Sequence, residues 1–312
     1  MKRRTLLSAG IGAAAASLVP STGYASTRDV TAGEARDDLW MPSAILGMDV
    51  GYALYLPPGH DPARDYPVLF MLHGTEGTAS AWLEDEVTIP AFDAAIAEGR
   101  LPPTIGIFPD GRRDPTRSPL DQPLAYWMND ADGGFRYHDM IMDEMLPFVT
   151  AVHRAGGVKH NTAIGGLSMG GFGALSFTMR HPDRFVATFS MSAGQRTDQQ
   201  ILDLSVEDWN WRYGGAWGYD LIGADRLNPV FREWNLPDVL YREGDVLNAT
   251  GYWLDCGEQD EFLVGNNMLN DIMTETGVAH QYSTRPGGHD WDVWAAAMPL
   301  GLDFIGGYLA GC

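Results

Sequence analysis

One serine within a glycine-rich stretch has the surroundings of an enzymatic nucleophile. Ser168 is the centre of Gly166-Leu167-Ser168-Met169-Gly170, which fits the pattern G-x-S-x-G. Small neighbours in this pattern allow a strained turn from a strand into a helix, and the turn presents the serine hydroxyl. The preceding NTAIGGL is typical of a strand and the following GGFGALSFTMRHP of a helix. A phosphate-binding loop or a dinucleotide fingerprint would need glycine phrases that are not in place here.

A serine nucleophile needs a base and an acid to activate it at neutral pH. His289 follows the last predicted strand in PGGHDWDVW and is the expected base, with His138 as the alternative. Asp260 follows the predicted strand GYWLDCG and is the expected acid, although other acidic residues are close to it. Asp255 lies inside that strand, which favours a structural role. The chain order serine, aspartate, histidine is the order found in α/β-hydrolases.

The tetrahedral intermediate of acyl transfer also needs two backbone N–H groups directed at its oxygen. Met169, the residue after the nucleophile, is expected to supply one of them. Thr75, in the turn after MLHG, is expected to supply the other. The amino end of the following helix would add favourable positive potential.

The alternation of apolar strands with helix-length stretches predicts the α/β-hydrolase fold, with a mostly parallel central sheet flanked by helices. Reactive loops in such sheets follow the carboxyl ends of the strands. A tryptophan-rich excursion, residues 194–250, precedes the acid and is expected either to cap the site or to pack with buried aromatic residues. Four tryptophans are candidate substrate contacts: Trp127, Trp211, Trp217 and Trp291.

The amino-terminal segment predicts export. Residues 1–25 combine a basic start containing Arg3 and Arg4 with an apolar stretch and small residues, typical of a signal peptide of the twin-arginine type. Residues 26–312 are then expected to form a single domain in the periplasm or outside the cell. No stretch predicts stable membrane insertion.

Composition restricts the class of ligand. The formal net charge is −20 over 312 residues, which disfavours nucleic acids and anionic membranes as partners. The two cysteines, Cys256 and Cys312, leave a bridge open after export. The histidines and cysteines do not have metal-ligand spacing, and no metal or other cofactor is predicted.

Several phrases together resemble one branch of the α/β-hydrolases. YALYLPPGHDPARDYPVLFMLHG, GGLSMGGFGAL, WLDCGEQDEF and GGHDWDVW are similar to the esterase D and antigen 85 type esterases. This branch includes feruloyl esterases, S-formylglutathione hydrolases and mycolyltransferases. The resemblance implies Ser168 as nucleophile, Asp260 as acid and His289 as base, with oxyanion contacts from Thr75 and Met169.

These observations predict an exported serine esterase that hydrolyses a carboxylic ester of a carbohydrate, a phenolic or a similar small molecule through an acyl-enzyme on Ser168. The resemblance leaves open an acyltransferase of the mycolyltransferase type with the same three residues. A secreted binding module that has lost catalysis is a third hypothesis, which the complete set of serine, aspartate and histidine disfavours.

Overall fold

An eight-stranded sheet runs through the computed structural model, which describes residues 32–309. The strands lie in the order β1-β2-β4-β3-β5-β6-β7-β8, with β1, β2 and β4 paired antiparallel and all other neighbours parallel. Their bounds are β1 Glu34–Ser43, β2 Met48–Leu56, β3 Val68–Leu72, β4 Ile105–Pro109, β5 Thr162–Leu167, β6 Ala187–Met191, β7 Gly251–Gly257 and β8 Gln281–Arg285. The predicted mostly parallel α/β-hydrolase sheet is confirmed.

The side chains of β3 show why this sheet is covered on both faces. Val68, Phe70 and Leu72 belong to one buried cluster. Leu69 and Met71, which alternate with them, belong to a second cluster on the opposite face. Side chains alternate across a strand, so an unbroken apolar run must be buried on both sides. The two clusters are the cores between the sheet and its two helical layers.

The first strand, β1, is absent from the sequence-based prediction. It begins with the charged run EARDD, and most of its side chains are exposed. As an edge strand it pairs only with β2, so its outer side needs no apolar alternation.

The helices cover both faces of the sheet. Their bounds are α1 Ala81–Glu84, α2 Thr88–Ala97, α3 Tyr137–Met140, α4 Leu146–His153, α5 Met169–Arg180, α6 Asp198–Leu202, α7 Val206–Arg212, α8 Gly214–Trp217, α9 Pro229–Trp234, α10 Leu236–Glu243, α11 Leu263–Glu275 and α12 Trp291–Leu309. Residues 137–153 form one helical segment, which contains a π-helical turn, Ile141–Met145, between α3 and α4.

The tryptophan-rich excursion, residues 194–250, folds into α6 to α10 and short 3₁₀ turns. Its last helix, α10, packs against α5 and α11 on one face of the sheet. Most of its aromatic side chains are buried, including Trp209, Tyr213 and Trp234. The excursion therefore extends one of the two cores, which is the second of the two arrangements expected for it.

Two sequence-based predictions fall outside the described residues. The signal peptide, residues 1–25, is one, and the Cys256–Cys312 bridge is the other because Cys312 is not among them. Cys256 itself is buried in β7. Within residues 32–309, no helix has the length and apolar character needed to cross a membrane.

Candidate active site

Ser168 occupies the sharp turn between β5 and α5. Its backbone angles, φ 54° and ψ −121°, are strained for a residue with a side chain. A Cβ on Gly166 would lie 2.5 Å from the carbonyl oxygen of Gly170, and a Cβ on Gly170 would lie 1.9 Å from that of Leu72. Only glycine fits at these two positions, because the start of α5 is pressed against the ends of β5 and β3.

The loops after β7 and β8 are held together next to this turn. The N–H of Gln259 donates to Gly287 O at 2.9 Å, and Gln259 Oε1 accepts from Gly287 N at 2.8 Å. A Cβ on Gly257 would lie 2.5 Å from Gly287 O, so the two loops are in direct contact there. This contact places Asp260, from the first loop, beside His289, from the second.

Ser168, His289 and Asp260 form a continuous hydrogen-bonded relay. His289 Nε2 lies 2.8 Å from Ser168 Oγ, and His289 Nδ1 lies 2.9 Å from Asp260 Oδ2. The carboxylate can only accept, so Nδ1 carries the proton and donates it to Asp260. Nε2 is then free to accept from the serine hydroxyl. This arrangement can remove the serine proton during attack on a carbonyl carbon.

Asp260 is held as a buried carboxylate. Its side chain is fully shielded from solvent, and its Oδ1 accepts from the backbone N–H of Phe262 at 2.8 Å. Burial alone would raise the pKa of Asp260. The hydrogen bonds from His289, Phe262 and Ser192 outweigh burial and hold the pKa of this carboxyl below its usual value. The acid is therefore ionised in the relay at neutral pH.

Two aromatic rings enclose the imidazole of His289. Phe262 and Trp294 each lie with ring centroids 5.0 Å from it. The Nε1–H of Trp294 also donates to Ser192 Oγ at 3.0 Å, and Ser192 supports Asp260. The sequence-based prediction missed Ser192, Phe262 and Trp294. Trp294 could have been found from its spacing, because it stands one helical turn after Trp291 in α12.

Met169 and Thr75 line one small void, and Met169 directly follows Ser168 in the chain. The void has a volume of about 10 Å³ and is also lined by His73. Met169 is the first residue of α5, so its N–H is free of the helical hydrogen-bond ladder. Thr75 also lines a larger cavity together with Ser168, so both predicted oxyanion residues lie near the nucleophile.

The relay opens into a cavity of about 530 Å³. Its walls combine three tryptophans with two acidic residues: Glu76, Trp82, Asp290, Trp291 and Trp294. Trp291 is 40% exposed at the mouth and meets the rings of Trp82 and Trp294 edge-on. Of the four predicted substrate tryptophans, Trp291 therefore contacts the cavity. Trp82 had no local sequence signal because it reaches the site only through the fold.

Trp127 and Trp217, two of the predicted substrate residues, are buried and do not line the cavity at Ser168. Trp127 is completely buried and donates from Nε1 to the carbonyl oxygen of His73 at 3.3 Å. Trp217 is buried in the excursion, where it stacks on Tyr213 with centroids 4.4 Å apart. Exposure of an aromatic side chain depends on distant packing, which local sequence does not report.

The remaining candidates lie away from the relay. Trp211 packs under the guanidinium of Arg212 and does not line the cavity at Ser168. Among the described residues 32–309, that cavity has no wall from the excursion, so the excursion does not cap it. His138, the alternative base, stacks on Phe177, and its Nε2 lies 2.9 Å from Nε2 of His181.

A larger depression of about 720 Å³ lies on another part of the surface. Its charged residues neutralise one another, as in the pairs Arg180–Glu233 and Arg232–Asp238. It contains none of the relay residues. The described residues also include no group of three or more His, Cys, Asp or Glu side chains arranged to hold a metal ion.

Comparison with protein families agrees with this geometry. The family model named Esterase matches residues 43–305, which is most of the chain. The chain belongs to this esterase family. Its sheet, its flanking helices and its relay are thus those of an enzyme of the serine esterase class.

Individual relatives of this esterase carry different activities in their names. This chain is 24% identical to an acetyl esterase of Caldicellulosiruptor saccharolyticus, over 74% of its own length and 80% of that protein. It is also 24% identical to a diacylglycerol acyltransferase/mycolyltransferase of Mycobacterium gordonae, over 96% and 88% of the two chains. Among solved structures, a ferulic acid esterase superposes with a TM-score of 0.73 at 25% identity, over 89% of this chain and 99% of that one.

Proposed function

We propose that this esterase is exported and hydrolyses a neutral carboxylic ester through an acyl-enzyme on Ser168. The observation that carries the proposal is the unbroken relay from Ser168 Oγ through His289 to Asp260, with links of 2.8 and 2.9 Å. A serine hydroxyl in this arrangement is a nucleophile that does not need a metal ion to activate it.

The reaction proceeds in two balanced steps. His289 Nε2 takes the Ser168 proton while Oγ bonds to the ester carbonyl carbon, and the carbonyl electron pair moves to oxygen. The N–H groups of Met169 and Thr75 stabilise that oxyanion. As the tetrahedral intermediate collapses, His289 gives the proton to the departing alcohol. Water then gives a proton to His289 as its oxygen bonds to the acyl carbon. The second tetrahedral intermediate collapses to the free acid, the bond to Ser168 Oγ breaks, and His289 returns the proton to that oxygen.

The walls of the cavity support a neutral substrate with a flat or sugar-like ring. Trp291 offers an exposed face at the mouth, and Trp82 lies behind it. Glu76 and Asp290 line the same cavity, which disfavours anionic groups on the substrate. An ester of a carbohydrate or of a phenolic acid fits these walls. Such esters are also available to an exported enzyme.

The basic test compares hydrolysis of p-nitrophenyl acetate by the natural enzyme and by Ser168→Ala. We expect turnover to fall by roughly 10⁴-fold or more, because the acyl-enzyme cannot form. Ser176→Ala is the matched control, since it removes another buried serine hydroxyl, from α5, without touching the relay. Activity of Ser168→Ala within a few-fold of the natural enzyme would overturn the proposal.

The substrate class is tested at Trp291. Trp291→Ala should raise KM for a feruloyl ester by about fivefold, because stacking of a ring is worth about 1 kcal/mol, and should change KM for the acetyl ester little. Trp40→Ala is the control, since Trp40 is similarly exposed but lies outside this cavity. Equal effects on both esters would contradict a role for Trp291 in recognising the ring.

Acyl transfer to an alcohol is the second candidate function. It is favoured by the mycolyltransferase relative, whose similarity extends over 96% of this chain. Adding glycerol or a disaccharide to the esterase assay distinguishes the two. Hydrolysis gives free acid at an unchanged yield, whereas transfer diverts the acyl group to a new ester in proportion to acceptor concentration.

Export is supported by the sequence of residues 1–25 with its Arg3-Arg4 pair. Expression of the full chain in a bacterium with a twin-arginine system tests it by fractionation. We expect processed enzyme outside the cytoplasm for the natural chain. The Arg3→Lys/Arg4→Lys variant should not be exported. Retention of the natural chain in the cytoplasm would contradict it.

A further inference from the structure

Two consecutive buried aromatic residues adopt left-handed backbone conformations beside the reaction centre. Tyr126 has φ 51° and Trp127 has φ 59°, and both side chains are buried. Such angles are uncommon for residues with large side chains, and they persist only where surrounding contacts enforce them. Neither residue reaches the substrate cavity or the relay directly, so the mechanism above gives this strained pair no role.

Trp127 holds the chain that leads to Thr75. Its Nε1–H donates to the carbonyl oxygen of His73 at 3.3 Å, and its ring lies 5.0 Å from the His73 ring. The space for this indole exists because two neighbours lack a Cβ. A Cβ on Gly111 or on Gly173 would come within 2.9 Å or less of the indole ring.

The ring of His73 is held by two hydrogen bonds, so the contact with Trp127 also restrains the backbone that follows His73. Gly111 N–H donates to His73 Nε2 at 2.9 Å, which leaves the proton on Nδ1 for the carbonyl of Gly74 at 2.7 Å. Burial lowers the pKa of His73 and keeps the ring neutral in this tautomer. The backbone that presents the Thr75 N–H is therefore anchored one and two residues earlier.

Tyr126 holds the other side of the nucleophile. Its hydroxyl donates to Gly194 O at 2.8 Å, and the N–H of Gly194 donates to Ser168 O at 2.8 Å. A Cβ on Gly194 would lie 2.5 Å from the Tyr126 hydroxyl and 3.4 Å from the backbone nitrogen of Met169. Tyr126 thus fixes the backbone immediately around the Met169 N–H.

We propose that Tyr126 and Trp127 are positioning residues that set the separation of the two oxyanion N–H groups. Because they are adjacent in the chain, a movement of the Thr75 turn relative to the amino end of α5 must distort this strained dipeptide or break one of its hydrogen bonds. The pair therefore acts as a rigid brace across the oxyanion site. The inference rests on the proposed function and assigns these residues to its transition state.

The test is Trp127→Phe, which keeps a buried ring but removes the Nε1–H, together with Tyr126→Phe, which removes one hydroxyl. Each should lower kcat by about tenfold with KM nearly unchanged, because a displaced donor stabilises the oxyanion less and the ground state equally. The acid limb of the pH profile should not move, since the relay is intact. Inactivation by a fluorophosphonate, whose phosphoryl oxygen occupies the oxyanion site, should slow by a similar factor.

Trp209→Phe is the matched control. Trp209 is also fully buried and donates from Nε1 to a backbone carbonyl, that of Gly218 at 2.8 Å, but within the excursion. It should lose stability without a selective loss of kcat. Natural kcat in both brace variants, or a loss no greater than that of Trp209→Phe, would overturn the proposal. If Trp127→Phe does not fold, Tyr126→Phe alone decides.

The brace and the proposed function fail in distinguishable ways. An active Ser168→Ala enzyme would refute both the acyl-enzyme and the role of the brace in its transition state. An inactive Ser168→Ala enzyme combined with fully active Tyr126→Phe and Trp127→Phe enzymes would refute the brace alone.

Discussion

Asp255 and Asp260 are buried carboxylates five residues apart with different partners. Asp255 is paired with the Arg285 guanidinium through two hydrogen bonds of 2.7 Å and accepts a third, from Ser283 Oγ, at 2.6 Å. These contacts join β7 to β8. Asp260 instead faces His289 at the end of the sheet. The two aspartates therefore have different roles. Asp255 links two strands of the sheet, whereas Asp260 belongs to the catalytic relay.

This difference predicts opposite consequences for the same substitution. Asp260→Asn should lower kcat by roughly 10³-fold or more, because an amide can hold the wrong tautomer of His289, while the protein stays folded. Asp255→Asn should leave kcat within a few-fold but lower the free energy of unfolding by about 3 kcal/mol, because it leaves Arg285 unpaired. Steady-state kinetics and urea unfolding of both variants check this. A large kcat loss only in Asp255→Asn would reverse the assignment.

At this scale the three relay residues were predictable because each follows a parallel strand, and the carboxyl ends of those strands meet at one edge. The burial of Trp127 and Trp217 was not predictable, because nothing in the local sequence distinguishes a tryptophan that lines a substrate cavity from one that supports a turn. The glycines at positions 111 and 173 that make room for Trp127 come from two distant segments. Their relation to it exists only in the fold.

At the scale of elements, the contact of α5 with the end of β3 positions the nucleophile. Gly170, in the first turn of α5, lies against the carbonyl oxygens of Leu72 and His73, which a Cβ there would approach to 1.9 and 2.7 Å. The helix can therefore begin directly after Ser168 and still pack on the sheet. The G-x-S-x-G pattern predicted this turn because its requirement is local and steric.

Gly170→Ala should consequently abolish esterase activity and lower the free energy of unfolding by about 3 kcal/mol, since neither backbone can yield easily. Gly307→Ala in α12 is the control, because a Cβ there meets nothing within 4 Å. It should stabilise the protein by about 0.5 kcal/mol through lower chain entropy. Thermal and urea unfolding with activity assays test the pair. An active, stable Gly170→Ala enzyme would contradict the packing described.

The edge strand β1 could not be predicted from the sequence. Its charged start gives no periodic signal, and its pairing with β2 depends on which side of the sheet remains open. The π-helical turn between α3 and α4 was likewise hidden within an otherwise regular apolar period.

Across the described part of the molecule, burial lowers the pKa of several histidines and so favours their neutral form. Burial is the largest cause of a lowered pKa at each of five positions: His60, His73, His138, His153 and His181. The unfolded chain binds these protons as the pH falls through about 6.5, whereas the folded chain does not. Stability must therefore decrease as the pH falls below that value. The lowered pKa of Asp260 acts in the same direction at lower pH.

The expected outcome is a Tm lower by at least about 2 °C at pH 5.5 than at pH 7.5, measured by calorimetry at constant ionic strength. His138→Phe is informative because His138 is almost completely buried and already stacks on Phe177. This variant should show a smaller dependence of Tm on pH. A Tm that is unchanged or higher at pH 5.5 would contradict the assignment of neutral buried histidines.

Covalent trapping tests directly whether Ser168 carries the acyl group. The enzyme is treated with a fluorophosphonate and digested, and the modified peptide is identified by mass spectrometry. The relay geometry predicts one adduct per chain, located on Ser168, and no adduct in the Ser168→Ala protein. An adduct on a different residue, or equal labelling of Ser168→Ala, would show that Ser168 is not the nucleophile.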